Sequence, residues 1–449
     1  IGSEAGSTNT TGYSNTFIGR EAGKANTEGF NNTFVGRGAG QANSTADSNT
    51  FIGDVAGGAV TTGGNNIMIG HLAGDGFDTE TANLGIGKQA LGGAIAGGEY
   101  NIAIGNGTLD ALTSADYSVG VGYEAGSAIT TGGNNTLMGY QAGKHITTGT
   151  NNTGVGIQAL YNFDTETNNT AFGQSALGGA IAGGEFNVAV GNLTLDALTS
   201  ADDNTAVGYQ AGSAITTGGE NTLIGSTAGD AITTGVRNTA VGKGALTATT
   251  TGDFNTAVGR TALENNTTAD GNTAVGVASL SQNTTGASNT SVGYLALGLN
   301  TTASSNTAIG KSAGASVTTG QAQVLIGAEA GASLTTAGGN IAIGYQALDA
   351  ADTENNNLAI GEAALGVCNS GGEYNIAIGK SSLDALTSAD KVTAVGYGAG
   401  GAITSGGIVT VTLAIGSLAI GQYLILDKTS SSNSITVCYR SYSEGVCLG

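Results

Sequence analysis

A glycine returns every seventeen residues. With the unit numbered from Asn204, Asn-Thr-Ala-Val-Gly fills positions 1 to 5. The position-5 glycine then recurs from Gly2, Gly19 and Gly36 through Gly208, Gly225 and Gly242 to Gly379 and Gly396, and its spacing lengthens to eighteen only at Gly105, Gly191 and Gly379. A unit this short cannot enclose a core of its own, so its copies must stack and bury their apolar faces against one another.

Within the unit, position 4 is Val or Ile in nearly every copy, as in Val207, Ile224, Val241 and Val258, and position 2 is Thr, Val, Ile or Leu. Such alternation describes a short strand whose even positions share one face, here taken as the core face. A second short segment, with Ala at position 8 and Gly or Leu at position 9, reads as a second strand, and Thr-Thr-Gly as the turn that closes the coil. The predicted fold is all-β: a parallel β-solenoid of 17-residue coils in which every strand pairs with the coil above and below. Proline would interrupt that ladder, and the chain has none. Stacked like charges would repel at roughly 4.8 Å, which accounts for a charged content of only 10 %. Asn recurs at position 1, as in Asn204, Asn221, Asn238 and Asn255, and forms a candidate side-chain ladder. Stacking of this length predicts a rod of about 110 Å.

The net charge of −20 comes from 33 acidic and 13 basic residues and disfavours nucleic acid and anionic membrane surfaces as partners. No run of about 18 apolar residues indicates a transmembrane helix. Cys368 reads as a small buried thiol, and Cys438 and Cys447 could close a nine-residue loop in an oxidising environment.

A longer repeat lies over the short one. The segment beginning FDTET at Phe77 returns at Phe163, with a looser copy from Ala351, and each copy holds one eighteen-residue coil, whose extra residue is expected to bulge outward near Gly-Gly-Glu. These cassettes gather carboxylates: Asp78 and Glu80, Asp164 and Glu166, Asp352 and Glu354, with Glu99, Glu185 and Glu373 in the Gly-Gly-Glu turns. They are candidate surface-recognition residues; paired carboxylates could also hold Ca²⁺ or hydrolyse a glycan, and in the simplest reading they are solvated turn residues. Only His71 and His145 are available for histidine chemistry, so no catalytic residues, no cofactor and no metal site are assigned. Six tyrosines, among them Tyr123 and Tyr140, occupy position 6. Phe17, Phe34 and Phe51, at position 3, lie on the face opposite the Val/Ile positions and form a candidate subunit interface. Residues 1–407 are read as the solenoid, of about 24 coils. Residues 408–449, where the period is lost, are read as a β-rich cap, connector or tip.

The segments NTAVG, NTFIG and NIAIG followed by Ala-Gly or Ala-Leu resemble the shaft repeats of phage tail fibres. In pattern they are also similar to the head repeats of trimeric autotransporter adhesins, whose units are usually shorter. The resemblance covers about residues 1–407. It implies left-handed β-rolls assembled as parallel homotrimers and used for attachment. The implied partners are further copies of the chain, a host glycan or protein receptor, and other virion or appendage proteins, and the implied location is extracellular, on a virion or cell surface. A bacterial surface adhesin is the first alternative. An ice-binding protein, suggested by Thr-Thr at positions 13 and 14, and a polysaccharide depolymerase stand below it.

Overall fold

The computed structural model describes the chain except for residues 94–96, 180–182, 369–370, 406–409, 412–422, 428–435, 442–443 and 449, with side chains as far as residue 405. Each coil contributes one three-residue strand, from β1 (Thr16–Ile18) to β23 (Thr393–Val395). Every strand pairs in parallel with the next, in a register that sets equivalent positions side by side: Thr205 with Thr222, Ala206 with Leu223, Val207 with Ile224. The architecture is therefore a parallel β-solenoid, and none of the described residues is helical. A two-residue strand, β24 (Thr410–Val411), extends the sheet beyond β23. Further on, β25 (Tyr423–Asp427), β26 (Thr436–Ser441) and β27 (Glu444–Leu448) form an antiparallel sheet in which Cys438 stands opposite Cys447.

Among the described residues the second strand expected in each coil is absent. Positions 6 to 12 instead turn through left-handed residues at positions 7 and 9, as at Gln210 (φ 54°) and Leu195 (φ 51°), with a third at position 17, as at Asp203 (φ 58°). Backbone bonds still join neighbouring coils here, for example Leu195 N–H to Ala211 O at 3.1 Å and Thr216 N–H to Thr233 O at 2.9 Å. Non-glycine residues adopt this conformation only where the surroundings hold it, and the stack supplies that constraint at both neighbours.

The core face is the reverse of the one read from the alternation. Position 3 is buried from Phe34 to Ala394, whereas Val207 and Val241 are half-buried and Ile224 and Val258 are 41 % and 36 % exposed. The reason is volume. Position 3 meets position 9 across a narrow interior that has room for one large side chain between the two in each coil, while position 12 buries another, such as Phe77, Ile146 or Ile232. Phe34, Leu137 and Leu223 fill it from position 3, and a Cβ added to the position-9 glycine of those coils would lie 2.6 Å from Phe34, 2.6 Å from Leu137 and 2.9 Å from Leu223. Where position 3 is Ala, as in Ala189, Ala240 and Ala257, position 9 is a fully buried Leu: Leu195, Leu246 and Leu263. Small residues at both positions, as in Ala206 with Gly212, are accommodated because Leu195 and Leu223 of the flanking coils reach in from both sides. Close packing of this kind leaves no place for the branched residues of positions 2 and 4.

Two further features lock the stack. Gly225 at position 5 has φ 141°, and a Cβ there would sit 2.4 Å from the carbonyl oxygen of Gly242 in the next coil. The position-1 asparagines are buried and bond in two directions. Asn221 Nδ2 donates to Gly235 O of its own coil at 2.9 Å, and Asn221 Oδ1 accepts the backbone N–H of Asn238 at 2.9 Å. Asn204 and Asn238 repeat the arrangement, as does Asn255, which accepts from the Asn272 N–H at 3.0 Å. A second asparagine ladder, not anticipated from the sequence, occupies position 12 in two short runs. Asn26 Nδ2 donates to Asn9 Oδ1 and Asn43 Nδ2 to Asn26 Oδ1, both at 2.8 Å; Asn283 and Asn300 continue likewise from Asn266.

Candidate functional site: the outward β face and the acidic turns

The acidic turns divide into two groups. Glu80, Glu166 and Glu354 are 2 % exposed and are not available to a receptor, contrary to the sequence reading. Each occupies position 15, where most coils carry a small residue, and folds inward. Glu80 Oε2 accepts the backbone N–H groups of Asp78 at 2.7 Å and Thr79 at 3.0 Å, and Oε1 accepts that of Gly97 in the next coil at 2.9 Å. Glu166 and Glu354 make the same three bonds, reaching Gly183 and Gly371 at 3.0 Å. A buried carboxylate persists when its oxygens accept hydrogen bonds, and here the donors include the lengthened coil itself. Gly97, Gly183 and Gly371 belong to the three eighteen-residue coils and have φ values of 120°, 110° and 98°; a Cβ on any of them would meet nothing within 4 Å. The glutamates thus hold Gly97, Gly183 and Gly371 of the lengthened coils; the bulge expected for the extra residue falls outside the described residues. The residues just before these glycines lie outside the described ones.

Asp78, Asp164 and Asp352 stay exposed, each accepting a hydroxyl from the coil below, from Thr61, Thr147 and Thr335. Glu99, Glu185 and Glu373 are half-buried, and their N–H groups donate to Asp116, Asp202 and Asp390 at 2.8, 2.8 and 2.9 Å. Carboxylates at position 16 therefore tie the backbone of one coil to the side chain of the next. Among the described residues no group of three or more His, Cys, Asp or Glu side chains could hold a metal ion.

The phenylalanines are not a surface. Phe34 and Phe51 are fully buried and Phe17 is half-buried, their rings stacked at 5.2 and 4.9 Å along the interior. The outward face of the sheet belongs to positions 2 and 4. It is an uncharged strip of Thr, Val, Ile and Leu, with Met138 and Phe172 as departures, from β1 to β23, and Ile18 is 42 %, Ile224 41 % and Val395 44 % exposed. From β12 (Thr205–Val207) to β18 (Thr307–Ile309) every strand reads Thr-x-Val or Thr-x-Ile. Next to this strip the position-6 tyrosines are exposed, and Tyr123 stacks on Tyr140 at 5.5 Å.

Few groups titrate abnormally. Burial pushes the carboxyls of Asp75, Asp110, Asp196, Asp230 and Asp349, all at position 10, above the usual range. Glu124 is drawn down to about 2 by hydrogen bonds from Lys144, then Gln141 and Tyr123. Burial pushes the Cys368 thiol up to about 12. Of these groups, Asp75 also feels the charge of Asp110, which adds to the effect of burial.

Compared with known proteins, the chain matches no family model, and no curated protein or solved structure is significantly similar to it.

Proposed function

We propose that the chain is the shaft of a homotrimeric attachment fibre of the phage tail-fibre kind: a left-handed β-roll whose copies meet along the outward β face and hold a receptor-binding element away from the particle. The observation that supports this reading is the uncharged strip at positions 2 and 4. At about 105 Å by roughly 10 Å it amounts to about 1,000 Å² per chain, well above the few hundred Å² that a monomer normally leaves bare and within the range of stable subunit interfaces. Its occupant must be as long and as regular as the strip, and a second copy of the same chain meets both conditions. Rigidity follows from the interlocked coils, with no catalysis and no cofactor required. The exposed Asp78, Asp164 and Asp352 and residues 408–449 are the surfaces offered to a host glycan or protein receptor.

Sedimentation equilibrium of the purified chain tests the assembly, with a trimer expected. Ile224→Lys combined with Val258→Lys should return a folded monomer, and a wild-type monomer at micromolar concentration would end this reading. Immunogold labelling of particles and of cells separates the viral fibre from a bacterial surface adhesin. One observation favours a second reading. The outward Thr-x-Val array is the flat, regular surface that ice binding needs, and a thermal-hysteresis measurement on the wild-type chain decides it.

A further inference from the structure

The two long edges of the outward face carry opposite net charge, although Asp54 and Glu362 stand among the cations of position 6 and Arg237 and Lys391 at position 17 of the acidic edge. The chain enters each strand through positions 16 and 17 and leaves it through position 6. Seven of the 13 lysines and arginines stand at position 6 in a chain of net charge −20. In five of these seven coils the residue at position 16 is a carboxylate: Arg37 with Asp47, Lys88 with Glu99, Lys243 with Asp253, Arg260 with Asp270, and Lys380 with Asp390. Arg20 and Lys311 are the other two.

Within one chain these partners are held apart by the width of the strand, roughly 10 Å. Arg37 and Lys380 already pair along their own edge, with Asp54 at 2.7 Å and Glu362 at 2.9 Å. Lys88, Lys243 and Arg260 have no ion pair among the described residues. Asp253 and Asp270 each accept one backbone N–H, at 2.8 Å, from Val236 and Asp253.

Resting on the trimer reading above, we infer that the two edges set the orientation and register of the copies. The position-6 cations of one chain face the position-16 carboxylates that end the same coils of its neighbour. Symmetry decides the matter. When copies are related by rotation about the long axis, the leaving edge of one meets the entering edge of the next, and unlike charges oppose. When copies run in opposite directions, like edges meet, and edges of the same net charge face one another. Coupling of the two charges within the same coil adds a register condition, because a slip of one coil keeps only two of the five pairings, such as Lys88 with Asp116 and Lys243 with Asp270, and a slip of two coils keeps none. Edge charges of this kind contribute little affinity each but select strongly against the wrong arrangement.

Paired cysteines test this directly. Lys243→Cys with Asp253→Cys places two thiols too far apart to join within one chain. Oxidation by a small-molecule disulfide, through thiol–disulfide exchange, should give a closed covalent trimer on a denaturing gel, while each single variant stays monomeric. Lys311→Cys with Gln321→Cys, which removes no backbone tie, should give the same ladder. Absence of the cross-linked trimer from both pairs, with the wild type sedimenting as a trimer, would overturn the edge pairing and leave the trimer standing. Wild-type monomer would instead remove the trimer itself. Cross-linking by Lys243→Cys alone would indicate opposed chains, and dose-dependent retention on an anionic polysaccharide column with no cross-link would assign the cationic edge to a glycan.

Discussion

Asn221 and Gly235 lie fourteen residues apart and are joined by a 2.9 Å hydrogen bond from the side-chain amide of one to the carbonyl of the other. The same asparagine accepts the backbone N–H of Asn238, so one buried side chain closes its own coil and fastens it to the next. Replacing Asn221 by Leu would strand both a carbonyl and an N–H. At about 1–3 kcal/mol for each unsatisfied group, a local loss of about 2–4 kcal/mol is expected. It should be read as faster hydrogen exchange at the Asn238 amide, with protection retained several coils away.

Positions 3 and 9 together admit one large side chain per coil, and that rule can be transposed. Ala240→Leu alone should overpack against Leu246, costing about 1–3 kcal/mol, and Leu246→Gly alone should open a cavity costing about 2–5 kcal/mol. Together they move the large residue from position 9 to position 3, as Leu223 with Gly229 already does one coil below. Chemical denaturation of the two single variants and the double should show a coupling of at least about 2 kcal/mol.

Gly225→Ala is predicted to be far worse than its one methyl suggests. Its φ of 141° and the Gly242 carbonyl at 2.4 Å from the new Cβ act together. Circular dichroism melting should show a loss of about 3 kcal/mol or more, or a chain that folds only on one side of the break.

Asp230 provides a pH test with a defined sign. Burial raises its carboxyl above 3.8, and its Oδ1 has no hydrogen-bond partner. The folded state therefore holds the proton more tightly than the unfolded one, and the ionised group opposes folding above the raised value. As pH falls through that value toward 3.8 the penalty fades. Asp230→Asn should raise the melting temperature at pH 7, and the gain should vanish near pH 3.5. Glu124 acts in the opposite sense, since its stabilising contribution is present above 4.5 and is lost as pH falls toward about 2.

Much of this fold was legible because stacking imposes its own grammar. The glycine at position 5, the missing prolines and the Asn ladder of Asn204 to Asn255 are direct demands of coil-to-coil hydrogen bonding. The inside and the outside were not legible. Alternation says that positions 2 and 4 share a face, but the choice of face rests on side-chain volume, and the branched Val207 and Ile224 look more like a core than Ala206 does. Only the partnership of position 3 with position 9 shows that the two together take a single large side chain. The same confusion placed Phe34 and Phe51 on a surface. Glu80, Glu166 and Glu354 were misread because a carboxylate in a turn is normally solvated, and the amide of Gly97, seventeen residues on, is invisible to local inspection. The signal was available in the pairing of each DTE turn with a lengthened coil.

The side-chain amides of the position-1 ladder all point one way. Each completed turn leaves an oxygen that waits for an N–H borne by the turn to follow, as Asn204 waits for Asn221 and Asn221 for Asn238. A nascent chain leaving the ribosome meets these acceptors in the order in which it made them, so assembly has a built-in direction, and each finished layer is the mould for its successor.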